Sequence, residues 1–237
     1  MQTPIETITR NNGGRFSLGA SLSAGFSLNF RHWKIWVGFA GACFLVAWIA
    51  VGFSFTTLFI AGAAGAETDY DATLGGFLTM IFASPIVAIQ LLLGGLVALL
   101  LMPLVANAAY RSLFREKLAF KDLTADLPYL RVLLAFVIIG LVHSVCGAIP
   151  LIGFIVDIFV SPFFIFLPYA ALEKKSFGEA INLASRYYLP VLGLSVVTSI
   201  IGAVAWVIFP ILFVPVISTA VAYGMLRIEQ NASNSQF

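Results

Sequence analysis

The sequence predicts an all-α, polytopic membrane protein with six transmembrane helices as three hairpins, each preceded by an amphipathic interfacial helix. Of the 237 residues, 60% are hydrophobic and 10% are charged, whereas a soluble domain is usually about 25% charged. Several continuous apolar runs reach the length of about 20 residues that a spanning helix needs. A membrane β-barrel would instead show short alternating segments. We therefore expect residues 1–237 to form a single membrane domain.

The six predicted spans follow the apolar runs in chain order. The run at 74–110 is too long for one straight helix across a hydrocarbon core of roughly 30 Å. Pro85 is predicted to break it, so that the second span begins at about Ile86. The spans are about 35–60, about 86–110, about 131–149, about 151–172, about 189–209 and about 211–226.

The basic residues predict how these spans are oriented. All 13 Lys and Arg residues lie before span one, between spans two and three, between spans four and five, or after span six. By the positive-inside rule, both termini and both long linkers are expected to be cytoplasmic. Residues 1–34 show no signal-peptide pattern, so the first span is expected to act as its own insertion signal. Seven linker cations are predicted to contact anionic lipid headgroups: Arg111, Arg115, Lys117, Lys121, Lys174, Lys175 and Arg186.

A Tyr-x-x-Leu pattern ends each even-numbered span and suggests an internal repeat. The three copies begin at Tyr110, Tyr169 and Tyr223, which are 59 and 54 residues apart, close to the length of one hairpin with its linker. The predicted repeat units are about 16–113, 114–172 and 173–227, with cytoplasmic tails at 1–15 and 228–237.

An amphipathic segment is predicted before each hairpin. In the third, Ser176 and Glu179 have the spacing of a capping box, and Pro190 is expected to end the helix. In the second, a helix from Phe120 would turn Asp122 to water and present an apolar face. That face would consist of Phe120, Leu123, Leu127 and Leu130.

The first amphipathic segment is ambiguous. Apolar residues in 16–30 alternate with Ser, Gly and Asn, which taken alone is a strand pattern. A lone strand at a membrane surface would leave its backbone groups unpaired, so a helix is the preferred interpretation.

These segments carry a resemblance to a known family. The stretches Phe16-Ser17-Leu18-Gly19-Ala20-Ser21-Leu22-Ser23 and Ser176-Phe177-Gly178-Glu179-Ala180 resemble the membrane domain of some bacterial glycerophosphodiester phosphodiesterases and of related six-span inner-membrane proteins. The resemblance implies residence in the bacterial inner membrane and a hairpin-repeat fold. It does not imply phosphodiester hydrolysis, because no stretch of the chain could encode the separate catalytic barrel.

His143 and Asp157 form the candidate intramembrane polar pair. Each lies seven residues from Pro150, so a tight hairpin would bring them to about the same depth. A central Asp costs about 2.5–3.5 kcal/mol on insertion scales, which favours a nearby partner. We predict a hydrogen bond or ion pair between them, either as a proton-responsive site or as a structural clasp between spans three and four. Gln90, Asn107, Ser195, Thr198 and Ser218 are the other polar intramembrane residues, for which interhelical hydrogen bonds suffice.

Catalysis and metal binding are not expected. The chain has no phosphate-binding glycine-rich loop and no HExxH, CxxC or GxSxG motif, and its two His and two Cys make no plausible metal cluster. No catalytic residue, cofactor or metal is therefore predicted. The basic linkers are too short and too diluted by acidic residues for specific nucleic-acid binding.

Two functions remain open from the sequence. The first is a non-enzymatic inner-membrane protein with a structural or lipid-interacting role, or an accessory subunit of a membrane assembly. Its expected partners are the bilayer, anionic lipids on the cytoplasmic side and other membrane-protein subunits. The alternative is a small transporter or channel with a proton-responsive site at His143 and Asp157. A lipid-modifying enzyme would need convergent acids, bases and metal ligands that the sequence lacks.

Overall fold

The computed structural model describes residues 5–6, 16–39, 85–149, 152–208 and 210–234. Apart from residues 35–39, the predicted first span lies outside these ranges, as does Pro150. The chain divides into two units, one formed by Met1–Val37 with Leu101–Phe237 and the other by Gly38–Leu100. All contacts discussed below lie within the first unit.

The described part of the chain is helical and contains no strand, which confirms the predicted all-α class for these ranges. Residues 33–39 are also helical. Short 3-10 helices occupy Phe120–Leu123 and Ser161–Phe163. The α-helices are α1 (Leu18–Arg31), α2 (Pro85–Ser112), α3 (Tyr129–Gly147), α4 (Gly153–Val160), α5 (Leu167–Leu172), α6 (Phe177–Arg186), α7 (Tyr188–Ile208) and α8 (Pro210–Asn234).

Within the described ranges, three helical segments are long and apolar enough to cross a membrane. They are Gly95–Ser112, Tyr129–Gly147 and Gly153–Leu172. A fourth is obtained if the bent pair Phe177–Arg186 and Tyr188–Ile201 counts as one span. By length and composition, these described helices are compatible with a membrane protein.

Residues 18–31, whose alternating sequence is compatible with either a strand or a helix, form the helix α1. The Ser17 hydroxyl accepts a hydrogen bond from the Ala20 N–H at 3.0 Å and caps the helix. Its buried residues follow the helical period and include Ser21 and Asn29 beside alanines, so polarity alone does not reveal the buried face. This face packs against α8. A Cβ built on Gly25 would lie 2.5 Å from the Val216 carbonyl oxygen, so the two backbones approach closely.

The prediction of an amphipathic helix from Phe120 is wrong. The chain makes only the 3-10 turn Phe120–Leu123. Phe120 is exposed, whereas Asp122, predicted to face water, is 1% exposed. The reason is that residues of α2 bind the backbone carbonyls of this turn, as described below, and replace the hydrogen bonds that a helix would make for itself.

The amphipathic helix predicted at Ser176 is present as α6. The Ser176 hydroxyl accepts a hydrogen bond from the Glu179 N–H at 3.2 Å. The helix ends at Arg186, and a bend of 100° separates it from α7. Pro190 does not end α6, as the sequence suggested, but lies in the first turn of α7. Its missing N–H costs nothing there, because first-turn N–H groups have no partner within a helix.

The predicted fourth span is not one continuous helix. Helix α4 ends at Val160, the 3-10 turn follows, and α5 begins at Leu167. Pro162 explains the break, since it has no N–H and its ring crowds the carbonyl four residues earlier. The Tyr188 hydroxyl donates to the Phe159 carbonyl at 3.0 Å and so supplies a partner near the break. By contrast, Pro103 and Pro215 lie inside α2 and α8.

Candidate functional site

His143 on α3 and Asp157 on α4 are in contact, as the sequence suggested. His143 Nδ1 lies 2.8 Å from Asp157 Oδ2 and 2.7 Å from Oδ1. The histidine side chain is 46% exposed and the aspartate 28%. A carboxylate at Nδ1 favours the tautomer with its proton on that nitrogen, which leaves Nε2 as the remaining hydrogen-bonding atom of the ring. The predicted contact between His143 and Asp157 is confirmed, while its role in function stays a prediction.

His143 also lines a cavity of about 300 Å³ between the helices. The sequence did not predict this cavity, which combines α2, α3, the broken α4–α5 segment, α7 and α8. Its lining residues are Met102, Phe136, Ile139, His143, Ser161, Ile165, Pro168, Tyr169, Ser195, Thr198, Ser199, Val214, Ile217, Ser218 and Val221.

Several polar groups of the cavity wall already have partners within the protein. The Ser161 and Ser195 hydroxyl oxygens are 3.0 Å apart and share a hydrogen bond. Thr198 donates to carbonyls of its own helix, at 2.8 Å to Leu194 and 3.0 Å to Ser195. The Tyr169 hydroxyl donates to the Ser218 carbonyl at 2.7 Å. With these groups satisfied, the wall presents mainly hydrocarbon to the cavity.

Asn107 does not belong to this cavity, although it was predicted to be intramembrane. It is 3% exposed, and its Nδ2 lies 3.0–3.1 Å from the backbone carbonyls of Asp122, Leu123 and Ala125. Arg111 donates to the same Ala125 carbonyl at 2.6 Å. We call Asn107 with the turn at 122–125 the carbonyl clamp. Its geometry arises from contacts between residues 15 to 18 positions apart, for which the sequence pattern carries no signal.

Two ion pairs surround the carbonyl clamp. Arg111 Nη2 lies 2.9 Å from Asp126 Oδ2, and the nearby guanidinium holds the pKa of this carboxyl below its ordinary value. Arg115 pairs with the buried Asp122, whose Oδ2 also accepts the Ala119 N–H at 2.8 Å. The left-handed conformation of Asp126, with φ 45°, is one that Asp tolerates better than most residues.

A second cluster joins the ends of α2, α5 and α8. Lys175 Nζ lies 2.7 Å from Glu229 Oε2 and also pairs with Glu173. Tyr110 donates to Glu173 Oε1 at 2.7 Å. Burial lowers the pKa of Lys175, but the hydrogen bonds to both glutamates outweigh it and leave the pKa raised. Burial raises the pKa of Glu229, partly offset by Lys175. We call these residues the Lys175 cluster.

The cations predicted to meet lipid headgroups thus fall into two groups. Arg111, Arg115 and Lys175 are engaged in the ion pairs above. Arg186 lies 5.9 Å from the ring centre of Tyr187. The side chains exposed for other partners are those of Lys117, Lys121, Lys174 and Arg186.

The three repeat tyrosines have unlike environments. Tyr110 donates to a carboxylate and Tyr169 to a backbone carbonyl. Tyr223 is fully buried, and its hydroxyl has no hydrogen-bond partner in the part of the chain described. Tyr169 and Tyr223 therefore lie inside the protein and not in an aromatic belt facing lipid. The repeat stays a prediction from sequence.

The fold and the cavity define a class, that of helical proteins with several apolar helices long enough to cross a membrane. Comparison with protein families, with curated protein sequences and with solved structures gives no match. The resemblance to the glycerophosphodiester phosphodiesterase membrane domain therefore remains a prediction. Among the described residues, no group of three or more His, Cys, Asp or Glu side chains could hold a metal ion.

Proposed function

We propose that the chain is a non-enzymatic, multi-pass protein of the bacterial inner membrane that interacts with lipids and supports a membrane assembly as a structural or accessory subunit. In this proposal six spans form three hairpins, and both termini are cytoplasmic. The amphipathic helix α6 would lie in the membrane interface.

The observation that carries the proposal is the apolar surface of α3 and α4. Only 17% of the α3 segment is buried within the protein. Three leucines and one valine on α3, and two phenylalanines on α4, are half or more exposed: Leu130, Leu134, Leu141, Val145, Phe154 and Phe159. Soluble proteins rarely expose apolar patches this extensive. Acyl chains would cover them without a hydrophobic cost, and an adjacent subunit could cover part of them.

The Lys175 cluster supports the proposed orientation. It joins Tyr110, Glu173 and Glu229, from the ends of predicted spans two, four and six. Lys175 pairs with both glutamates, and Tyr110 donates to Glu173. Arg131, before predicted span three, donates to the Lys175 carbonyl. These contacts require the four helix ends to lie on one side of the protein. An even number of spans with a common cytoplasmic side satisfies that requirement.

The orientation predicts the labelling of single cysteines. In a background with Cys43 and Cys146 changed to Ser, Ile149→Cys should react with a membrane-impermeant maleimide in intact spheroplasts. Lys117→Cys should react only after permeabilisation, because its linker is cytoplasmic in this proposal. Both side chains are exposed, so accessibility to the reagent and not burial decides the result. Labelling of Lys117→Cys in intact spheroplasts would contradict the orientation.

The accessory role has its own test. Purification in a mild detergent followed by mass spectrometry should recover the same membrane protein repeatedly. Recovery should fall when exposed residues of α3, such as Leu134, are changed to Trp, if that surface carries the partner. Purification of a chain that binds lipids but no reproducible protein partner would contradict the accessory role and leave the lipid role standing.

A specific observation keeps transport as the second candidate function. His143 both contacts Asp157 and lines the cavity, so a hydrogen-bonded His–Asp pair lies at the wall of a space between helices. If the protein conducts protons, Asp157→Asn should reduce flux into proteoliposomes at least tenfold. Asp126→Asn is the matched control, because this aspartate is exposed on a linker. Absence of flux in the unmodified protein, or equal flux in both variants, would contradict transport.

A further inference from the structure

We infer that the cavity beside His143 binds a single-chain membrane amphiphile of the long-chain alcohol class, whose hydroxyl group binds His143 Nε2. The inference rests on the proposed placement of these helices in a membrane, and it adds the chemical class of the lipid and the residue that selects it.

The size and lining of the cavity define the apolar part of the ligand. Its volume of about 300 Å³ is at the lower end of the range for small-molecule pockets, roughly 300–1,000 Å³. It therefore suits one alkyl chain better than the two chains of a phospholipid. Met102, Phe136, Ile139 and Ile217 supply hydrocarbon surface, and such surface favours an alkyl chain over a polar solute.

Hydrogen bonds within the protein leave few polar groups of the cavity wall in need of a partner from a ligand. Ser161 and Ser195 bind each other, and Thr198 binds the carbonyls of its own helix. A ligand rich in polar groups would have to break these bonds or leave its own groups unpaired, which is unfavourable in a buried site. The cavity thus favours a ligand with few polar groups.

His143 supplies the polar end of the site. Asp157 holds Nδ1 and favours the tautomer in which Nδ1 carries the proton. In neutral imidazole, the other nitrogen is then an acceptor. An acceptor beside an apolar cavity is complemented by one donor at the end of an apolar chain. A hydroxyl group meets this requirement without a charge, whereas an ether of the same chain has no proton to donate.

The occupant follows from the proposed surroundings. The exposed apolar faces of α3 and α4 would be covered by lipid, so membrane amphiphiles would be the molecules most abundant next to the site. Binding from the membrane would not require the ligand to cross water. A single-chain alcohol dissolves in the same bilayer, matches the cavity volume and makes the one polar contact.

Photolabelling in nanodiscs of phosphatidylethanolamine and phosphatidylglycerol tests the inference with a matched pair of probes. One is hexadecanol with a diazirine in its alkyl chain, and the other is the methyl ether of the same molecule. Hexadecanol should label peptides of α3 and α7, and excess unlabelled hexadecanol should suppress this labelling. At subsaturating probe, the ether should label about two- to twelvefold less, which is the effect of losing one net hydrogen bond.

Substitutions separate the polar contact from the apolar volume. His143→Phe should reduce hexadecanol labelling to the level of the ether and leave ether labelling unchanged. Ile139→Trp should suppress both probes by filling the cavity. Leu141→Trp is its control, because this leucine lies on the same helix and is exposed. Ile217→Phe, which fills the cavity from α8, takes the place of Ile139→Trp if that variant does not fold.

Each outcome supports the inference or overturns it. Equal labelling by alcohol and ether in the unmodified protein, or label confined to residues outside the cavity, would overturn it. A matching diazirine fatty acid that outcompetes hexadecanol would also overturn it, since the favoured ligand would then be an acid. If the cysteine labelling agrees with the proposed orientation but the cavity is not photolabelled, only this inference is contradicted. If the cavity is photolabelled but the cysteine labelling disagrees with the proposed orientation, only the six-span orientation is contradicted.

Discussion

Replacing Asn107 by Leu is expected to lower the free energy of unfolding by about 3 kcal/mol, because it leaves buried carbonyl groups without a donor. The Asn107 amide donates to the carbonyls of Asp122 and Leu123, and Arg111 reaches neither of them in the observed bonds. Leucine branches at the same atom but is larger and has no donor. The turn at 122–125 should therefore detach from α2, and the loss should appear in unfolding titrations of the purified protein in detergent.

Asn182→Leu is the matched control for this experiment. It makes the same chemical change on α6, where Asn182 is exposed, so stability should change by less than about 0.5 kcal/mol. Asn107→Asp is a second probe, since it keeps the shape but offers oxygens to the carbonyls. A variant Asn107→Leu as stable as the parent protein would show that water or another side chain can serve these carbonyls.

Replacing Gly25 by Ala is expected to cost about 2 kcal/mol, in the range found for overpacked interiors. The added Cβ would lie 2.5 Å from the Val216 carbonyl oxygen and 3.2 Å from the Ala220 Cβ. The nearest atom belongs to the backbone, so no side chain can rotate away. Helices α1 and α8 must separate, which weakens the packing around Ala24 and Leu28. Thermal unfolding in detergent measures the effect.

Gly19→Ala gives the opposite expectation on the same helix. A Cβ at Gly19 meets no atom within 4 Å. Alanine should stabilise the helix by up to about 1 kcal/mol, because it has the higher helix propensity. Opposite signs for the two glycines would support the close contact between α1 and α8. Stabilisation by both substitutions would contradict it.

Features that depend on neighbours in sequence could be predicted. The cap at Ser176 requires only a hydroxyl at a helix start, and it forms as expected. The contact of His143 with Asp157 depends on the short connection between α3 and α4, since equal spacing around a turn brings both residues together. The class of all-helical protein follows from long apolar runs in the same way.

Features that depend on distant residues could not be predicted. The segment after Phe120 has the pattern of an amphipathic helix, but Asn107 binds its carbonyls from another helix and selects a turn. The cavity depends on Ser195 and Ile217, whose helices are separated in sequence from His143. Hydrophobic periodicity reports which face of a helix is buried and not which helix covers it.

The contact between α1 and α8 has a consequence for the order of events during synthesis. Helix α1 is made first among the α-helices described, and its partner is made last. The surface around Gly25 therefore has no native cover until translation has passed Ala220. A chain that stopped before Val216 would leave the surface around Gly25 without this partner. The native packing of α1 against α8 can therefore form only after nearly all of the chain has been synthesised.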